Sequence, residues 1–224
     1  MGLDMYLSRF PRYKHYGTRE IHAVEEYVEW ESDEKAQEHP FYEWSWVSEK
    51  DMPKGEDLEY LMSFVKTRYW DWDVEHKFPH ELIHEQVAYW RKANQIHKWF
   101  VDKIQGGVDD CRYHREVTRE DLEELRDKCK EILEGCVQVR GKVKNGSRLD
   151  QKTNQLVPIY EDGLLVANPE ICKKLLPCTD GYFFGSDEYD QWYMRDIQYT
   201  FEKISKVLEE TDFENQMIYY SSSW

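Results

Sequence analysis

The chain has no apolar run approaching the roughly 18 residues that a membrane-spanning helix needs, so no membrane association is expected. The opening MGLDMYLSRF lacks a basic segment followed by an apolar core, and predicts no secretory leader. No CxxC pair occurs. The five cysteines (Cys111, Cys129, Cys136, Cys172 and Cys178) are odd in number and scattered, which points to reduced, mostly buried thiols. GxGxxG, P-loop and GxSxG strings are absent, and with them the simplest nucleotide-binding and hydrolase readings. Bases are scarce beside acids, 30 against 45, giving a net charge of −15. Such a chain repels a nucleic-acid backbone, so direct nucleic-acid binding is not expected. Its charge suits basic partners, including proteins that themselves bind nucleic acid.

What is present suits a single α+β domain over residues 1–224, with 40% apolar residues to build a core. Aromatics reach 15%, with nine Trp and sixteen Tyr. A chain of this size cannot bury them all, and partly exposed Tyr and Trp are good interface residues.

The longest helical pattern is centred on YWRKANQIHKWFVDKIQGGVDDC, residues 89–111. Ile83, Val87, Trp90, Asn94, His97, Val101 and Ile104 recur at alternating spacings of four and three, predicting a long central helix over about 80–105. Asn94 and His97 place polar groups in that apolar seam. A buried polar group without a partner costs about 1–3 kcal/mol, so both must be hydrogen-bonded or face a cleft.

Around this helix the expected frame is a mixed, mostly antiparallel sheet packed by four to five helices. Leu3–Arg9, residues 20–30, Phe41–Val47 and Met217–Tyr220 read as strands, Tyr42, Trp44 and Trp46 forming an aromatic face. Residues 56–67 read as a short helix. Thr118 with Asp121 reads as a capping box opening another, whose core face is Leu122, Leu125, Cys129 and Ile132. Residues 140–160 are the place for a hairpin or an insertion. Asn168-Pro169 reads as a helix start, with Asn168 as the cap. A last helix carries Tyr189, Tyr193, Ile197, Phe201, Ile204 and Leu208 on one face. The acids Asp187, Glu188 and Asp190 at its beginning suit the helix dipole and oppose phosphate binding there.

Two sets of residues could carry chemistry. Trp90, Arg91, Asn94 and His97, closed by Phe184, Asp187 and Tyr189, offer aromatic faces, a guanidinium and an amide for a nucleotide-like small molecule, and predict that Asn94 and His97 meet the GYFFGSDEYD segment. The adjacent carboxylates Asp109 and Asp110 could cap a group or bind a cation. Separately, His80-Glu81-Leu82-Ile83-His84 matches HExxH, in which two His one helical turn apart bind zinc beside a Glu base. Pro79 immediately before His80 and the lack of a following HxxGxxH weigh against it, so the expected cofactor is none, with zinc at His80 and His84 the alternative.

GLDMYL at the start, YWRKANQIHKWFV with GGVDDC after it, and GYFFGSDEYDQWY followed by Asp196 resemble a family of uncharacterised phage and prophage proteins. HELIH is not part of that shared pattern. The family supplies no activity to carry over. The resemblance implies an accessory protein of the bacterial host cytoplasm during infection. The leading expectation is thus a binding protein that inhibits a host defence system, anti-CRISPR-like, through an acidic and aromatic surface. A small-molecule pocket around Arg91, Asn94 and His97, and a zinc metallopeptidase, are the alternatives.

Overall fold

A computed structural model of the chain describes residues 2–32, 41, 47–68, 80–111, 115–181 and 184–224. The expected aromatic face at Tyr42, Trp44 and Trp46 lies outside these residues. The α+β class and the antiparallel pairing are as expected. Six α-helices are present among the described residues: α1 Thr18–Ser32, α2 Glu56–Met62, α3 Asn94–Lys103, α4 Arg119–Gly135, α5 Glu170–Leu175 and α6 Gln191–Glu210. The strands are β1 Asp4–Pro11, β2 Lys66–Arg68, β3 His80–Leu82, β4 Glu85–Arg91, β5 Gln138–Asp150, β6 Gln155–Val166 and β7 Gln216–Ser223. One sheet has the order β4-β1-β7, while β2 pairs with β3 and β5 with β6.

The expected helix over 80–105 is corrected to strand, turn and helix. β4 buries Ala88 and Trp90 on alternate residues, and α3 begins only at Asn94. Val87, Tyr89 and Trp90 favour a pleated surface, and Lys92 takes a left-handed φ of 62°, which stops any helix from running through. The four-three spacing was real, but two elements of different period shared it. Residues 20–30 are corrected the other way. They lie in α1, whose Ile21, Val24 and Glu25 are buried at helical spacing. Asn168 does not cap α5. Its amide instead bridges the Val137 N–H and the Gly135 carbonyl at 2.9 and 2.8 Å.

The chain divides into two compact units. The first comprises Met1–Met5, Trp90–Glu210 and Tyr220–Trp224; the second comprises Tyr6–Tyr89 and Thr211–Tyr219. In the first, α4 lies along α6. Thr118 caps α4 by accepting the Asp121 N–H at 3.2 Å, and the Asp121 carboxylate takes the Thr118 N–H at 3.0 Å, as the capping box requires. Leu122, Leu125, Cys129 and Ile132 of α4 are buried, as are Tyr193, Ile197, Ile204 and Leu208 of α6. In the second, Leu7 and Phe10 of β1 and Ile21 and Val24 of α1 are fully buried.

β5 and β6 form a long two-stranded antiparallel ribbon, paired from Gln138 opposite Val166 to Asp150 opposite Gln155, with a shift of register between Lys144 and Ser147. The hairpin expected at 140–160 is thus present, with β5 reaching Asp150 and β6 beginning at Gln155. The turn is set by the Asp150 carboxylate, which accepts the Lys152 N–H at 2.8 Å, and by Asn154 at a φ of 53°. Val143 and Val166 near the base are buried, but Leu156 is 72% exposed and Leu149, directly opposite it, 56%.

Candidate functional site

In the first unit Asn94 and His97 do meet the segment around Phe184. Lys92 is pinned by its N–H to the Leu3 carbonyl at 2.8 Å, and Gly185, at a φ of 99°, lies so close that a Cβ there would meet the Lys92 carbonyl at 2.8 Å. This close approach brings 184–186 onto the start of α3. The Asn94 amide then donates to the Phe184 carbonyl at 3.2 Å and the Ser186 carbonyl at 2.8 Å, and accepts the Thr179 N–H at 3.0 Å. Two acceptors on one side and one donor on the other fix the amide's orientation. One turn on, His97 Nδ1 lies 2.7 Å from the Tyr220 hydroxyl and Nε2 lies 3.0 Å from Asp109 Oδ2. The Trp224 indole donates to the other Asp109 oxygen at 3.0 Å. The Phe184 ring stands edge-on to His97 at 5.2 Å, and Tyr220 stacks on Phe100 at 4.1 Å. Burial pushes the Tyr220 hydroxyl well above its usual range, so it stays neutral.

These contacts are those of a packed network. Asn94 and His97 are each 1% exposed, and Trp90 is buried with its indole on Thr200 Oγ1 at 2.9 Å. Arg91 stays exposed, 3.6 Å from Asp4, and joins none of those bonds. The Tyr189 hydroxyl accepts the Cys178 N–H at 3.2 Å. Asp110 is half-buried and Asp187 is exposed. An open groove lies elsewhere in the unit, about 230 Å³ lined by Gln95, Trp99, Lys103, Glu124, Lys128 and Leu176 among others. Lys103 lies 2.7 Å and Lys128 3.7 Å from Glu124, so its cations are already matched. Four of the thiols are not primed as nucleophiles. Burial pushes Cys129, Cys172 and Cys178 up to about 12 and raises Cys111.

Asp196 of α6 follows GYFFGSDEYDQWY in the stretches that nominated this site. Burial outweighs the Gln95 amide, 3.2 Å away, and neighbouring Arg195, and pushes its carboxyl up to about 6. An unfolded Asp titrates near pH 4. Between about pH 4 and 6 the folded chain thus holds a proton that the unfolded chain has lost, so stability falls as pH rises through that window. Asp196→Asn keeps an acceptor for Gln95 and removes the charge. It is expected to add about 2 kcal/mol at pH 7 and to flatten the curve between about pH 4 and 6, read by urea unfolding at stepped pH. Identical slopes in both proteins would exclude Asp196 as the source.

In the second unit the HExxH string is not helical. His80 lies in β3, and His84 in the turn before β4, so the one-turn spacing that a zinc peptidase needs is missing. His80 Nδ1 is 3.0 Å from Glu29 Oε1, on α1. His84 turns inward to another partner that the sequence reading missed, Glu25 of α1. Glu25 Oε1 accepts the Ile83 and His84 N–H groups at 2.7 Å each. The His84 Nδ1 lies 2.8 Å from Oε1 and 2.9 Å from Oε2, and His22 Nδ1 lies 2.8 Å from Oε2. Burial works against the Glu25 charge, but the two imidazoles overcome it and hold the carboxyl well below the usual range. Phe10 stacks on His84 at 5.0 Å and meets His22 edge-on at 5.5 Å.

No protein-family model, curated protein or solved structure matches the chain. Among the described residues, no helix is long and apolar enough to cross a membrane.

Proposed function

We propose that this chain works by binding another protein, with the β5–β6 ribbon as its docking element and its acidic remainder steering a basic partner. The observation that carries the reading is the apolar surface of the ribbon. Leu149, Leu156, Val157, Ile159 and Tyr160 are all exposed on two paired strands. An apolar patch of this kind on a chain with a well-filled core marks a contact surface. The ribbon holds five bases, Arg140, Lys142, Lys144, Arg148 and Lys152, against three acids, Asp150, Glu161 and Asp162. The ribbon is thus +2, and the rest of the chain carries −17 against the net −15. A partner that offers the ribbon an apolar groove and the remainder a basic face matches both parts. The resemblance to phage proteins supports placing that partner among nucleic-acid-binding components of bacterial defence.

The test is binding of purified basic defence effectors, a CRISPR effector complex first, at low and moderate salt. Wild type is expected to bind, and more weakly as salt rises. The double variant Leu149→Ser, Leu156→Ser, at two exposed positions that face each other across the ribbon, is expected to bind at least about tenfold more weakly. Failure of every basic effector to bind, or unchanged binding by the variant, overturns the reading. Concentration-dependent sedimentation that the variant abolishes would assign the ribbon to a second copy of the chain instead.

A further inference from the structure

We propose that His22, Glu25 and His84 form a binding site for a divalent transition-metal ion of the zinc class. Each of the three offers one ligand atom, and these atoms lie within 4.8 Å of one another. Two imidazole nitrogens and a carboxylate oxygen are the donor set that zinc and its neighbours take, while magnesium and calcium prefer oxygen alone. The set is neither the HExxH pair nor a surface cluster. Only His84 belongs to that string, His80 being turned to Glu29. Glu25 is 2% and His84 4% exposed.

Both carboxylate oxygens are engaged, and His84 Nδ1 lies between them, 2.8 Å from Oε1. Oε1 is fixed by the backbone N–H groups of Ile83 and His84, an orienting shell of the kind that metal-bound carboxylates have. Oε2 faces both imidazoles, 2.8 Å from His22 Nδ1 and 2.9 Å from His84 Nδ1. In the metal-free state each neutral imidazole that donates to Oε2 carries its proton on Nδ1. A metal at the convergence point takes both Nδ1 lone pairs, and each ring keeps one proton by moving it to Nε2. Tetrahedral zinc bonds of about 2.0–2.1 Å set donors about 3.3 Å apart, so each imidazole nitrogen need draw back from Oε2 by only about half an ångström. Phe10 covers the imidazoles on one side. The His22 side chain, 14% exposed, leaves the way in. The ion ties α1 to the turn between β3 and β4, and three protein ligands leave it one further position for water.

The experiment is titration of EDTA-dialysed, full-length protein with zinc by calorimetry, and with cobalt by visible absorption. One equivalent per chain is expected, with cobalt bands of a tetrahedral nitrogen–oxygen site. Melting is expected to rise by about 5 °C or more at a hundredfold excess over Kd. His22→Gln and His84→Gln are each expected to weaken binding by about a hundredfold or more. His22→Gln, at the most exposed ligand, decides the matter if the other variant does not fold by circular dichroism. Less than a tenth of an equivalent bound by folded wild type, or unchanged binding by His22→Gln, overturns the proposal. Neither result touches the ribbon, so the binding role above stands or falls on its own.

Discussion

Asn94→Ala is expected to lower stability by about 4 kcal/mol in urea unfolding. The amide is 1% exposed and makes three hydrogen bonds to backbone groups at 179, 184 and 186. Truncation strands two carbonyls and one N–H, each costing about 1–3 kcal/mol when buried, though Thr179 and Ser186 are only partly so. Asn94→Asp separates the components. It keeps the acceptor for the Thr179 N–H but turns a carboxylate toward two carbonyl oxygens, so it should be no less damaging at neutral pH and recover in part as pH falls. A loss under about 1 kcal/mol for the alanine variant would mean that residues 179–186 are not held by this amide.

Glu25→Ala is the second large effect, about 3–5 kcal/mol in metal-free protein, because it removes the common partner of two imidazoles and two backbone N–H groups at once. Glu25→Gln should cost less than half of that. Its carbonyl oxygen still accepts the Ile83 and His84 N–H groups, and either imidazole can move its proton and accept from the amide. Equal losses for the two variants would show that the charge, not the hydrogen bonding, carries the contribution. Both are read from chemical denaturation with EDTA present.

The two sites differ in how far the sequence announces them, and the reason is contact distance. Asn94 and His97 stood out because a polar residue in an apolar seam needs no partner to be conspicuous, and the partner segment was conspicuous for its own motif. Their packed, satisfied state was not legible, since that depends on backbone groups whose approach is set by Gly185 against Lys92. The His22–Glu25–His84 cluster was hidden by an error of period. Read as a strand, residues 20–30 put His22 and Glu25 on opposite faces; as a helix they lie one turn apart, and an HxxE pair on a mostly buried face would have asked for a third partner. His84 drew notice only through a string that the fold never makes helical. Capping at Thr118 was legible because it is wholly local. The ribbon was legible as a hairpin, but not its length, because the outer part of β5, residues 144–150, is polar apart from Gly146 and Leu149 and shows no alternation to mark a strand.

Tyr220 sets an order in time. It is fully buried between Phe100 and the imidazole of His97, yet it follows His97 by 123 residues. At about 5–20 residues per second, synthesis takes roughly 6–25 s to cover that separation. Throughout that interval Phe100 lacks its stacking partner and His97 lacks one of its two hydrogen-bond partners. A nascent chain of this protein therefore exposes part of its future interior until β7 emerges, and ribosome-bound chains stopped before Tyr220 should be far more open to protease around α3 than chains stopped after it.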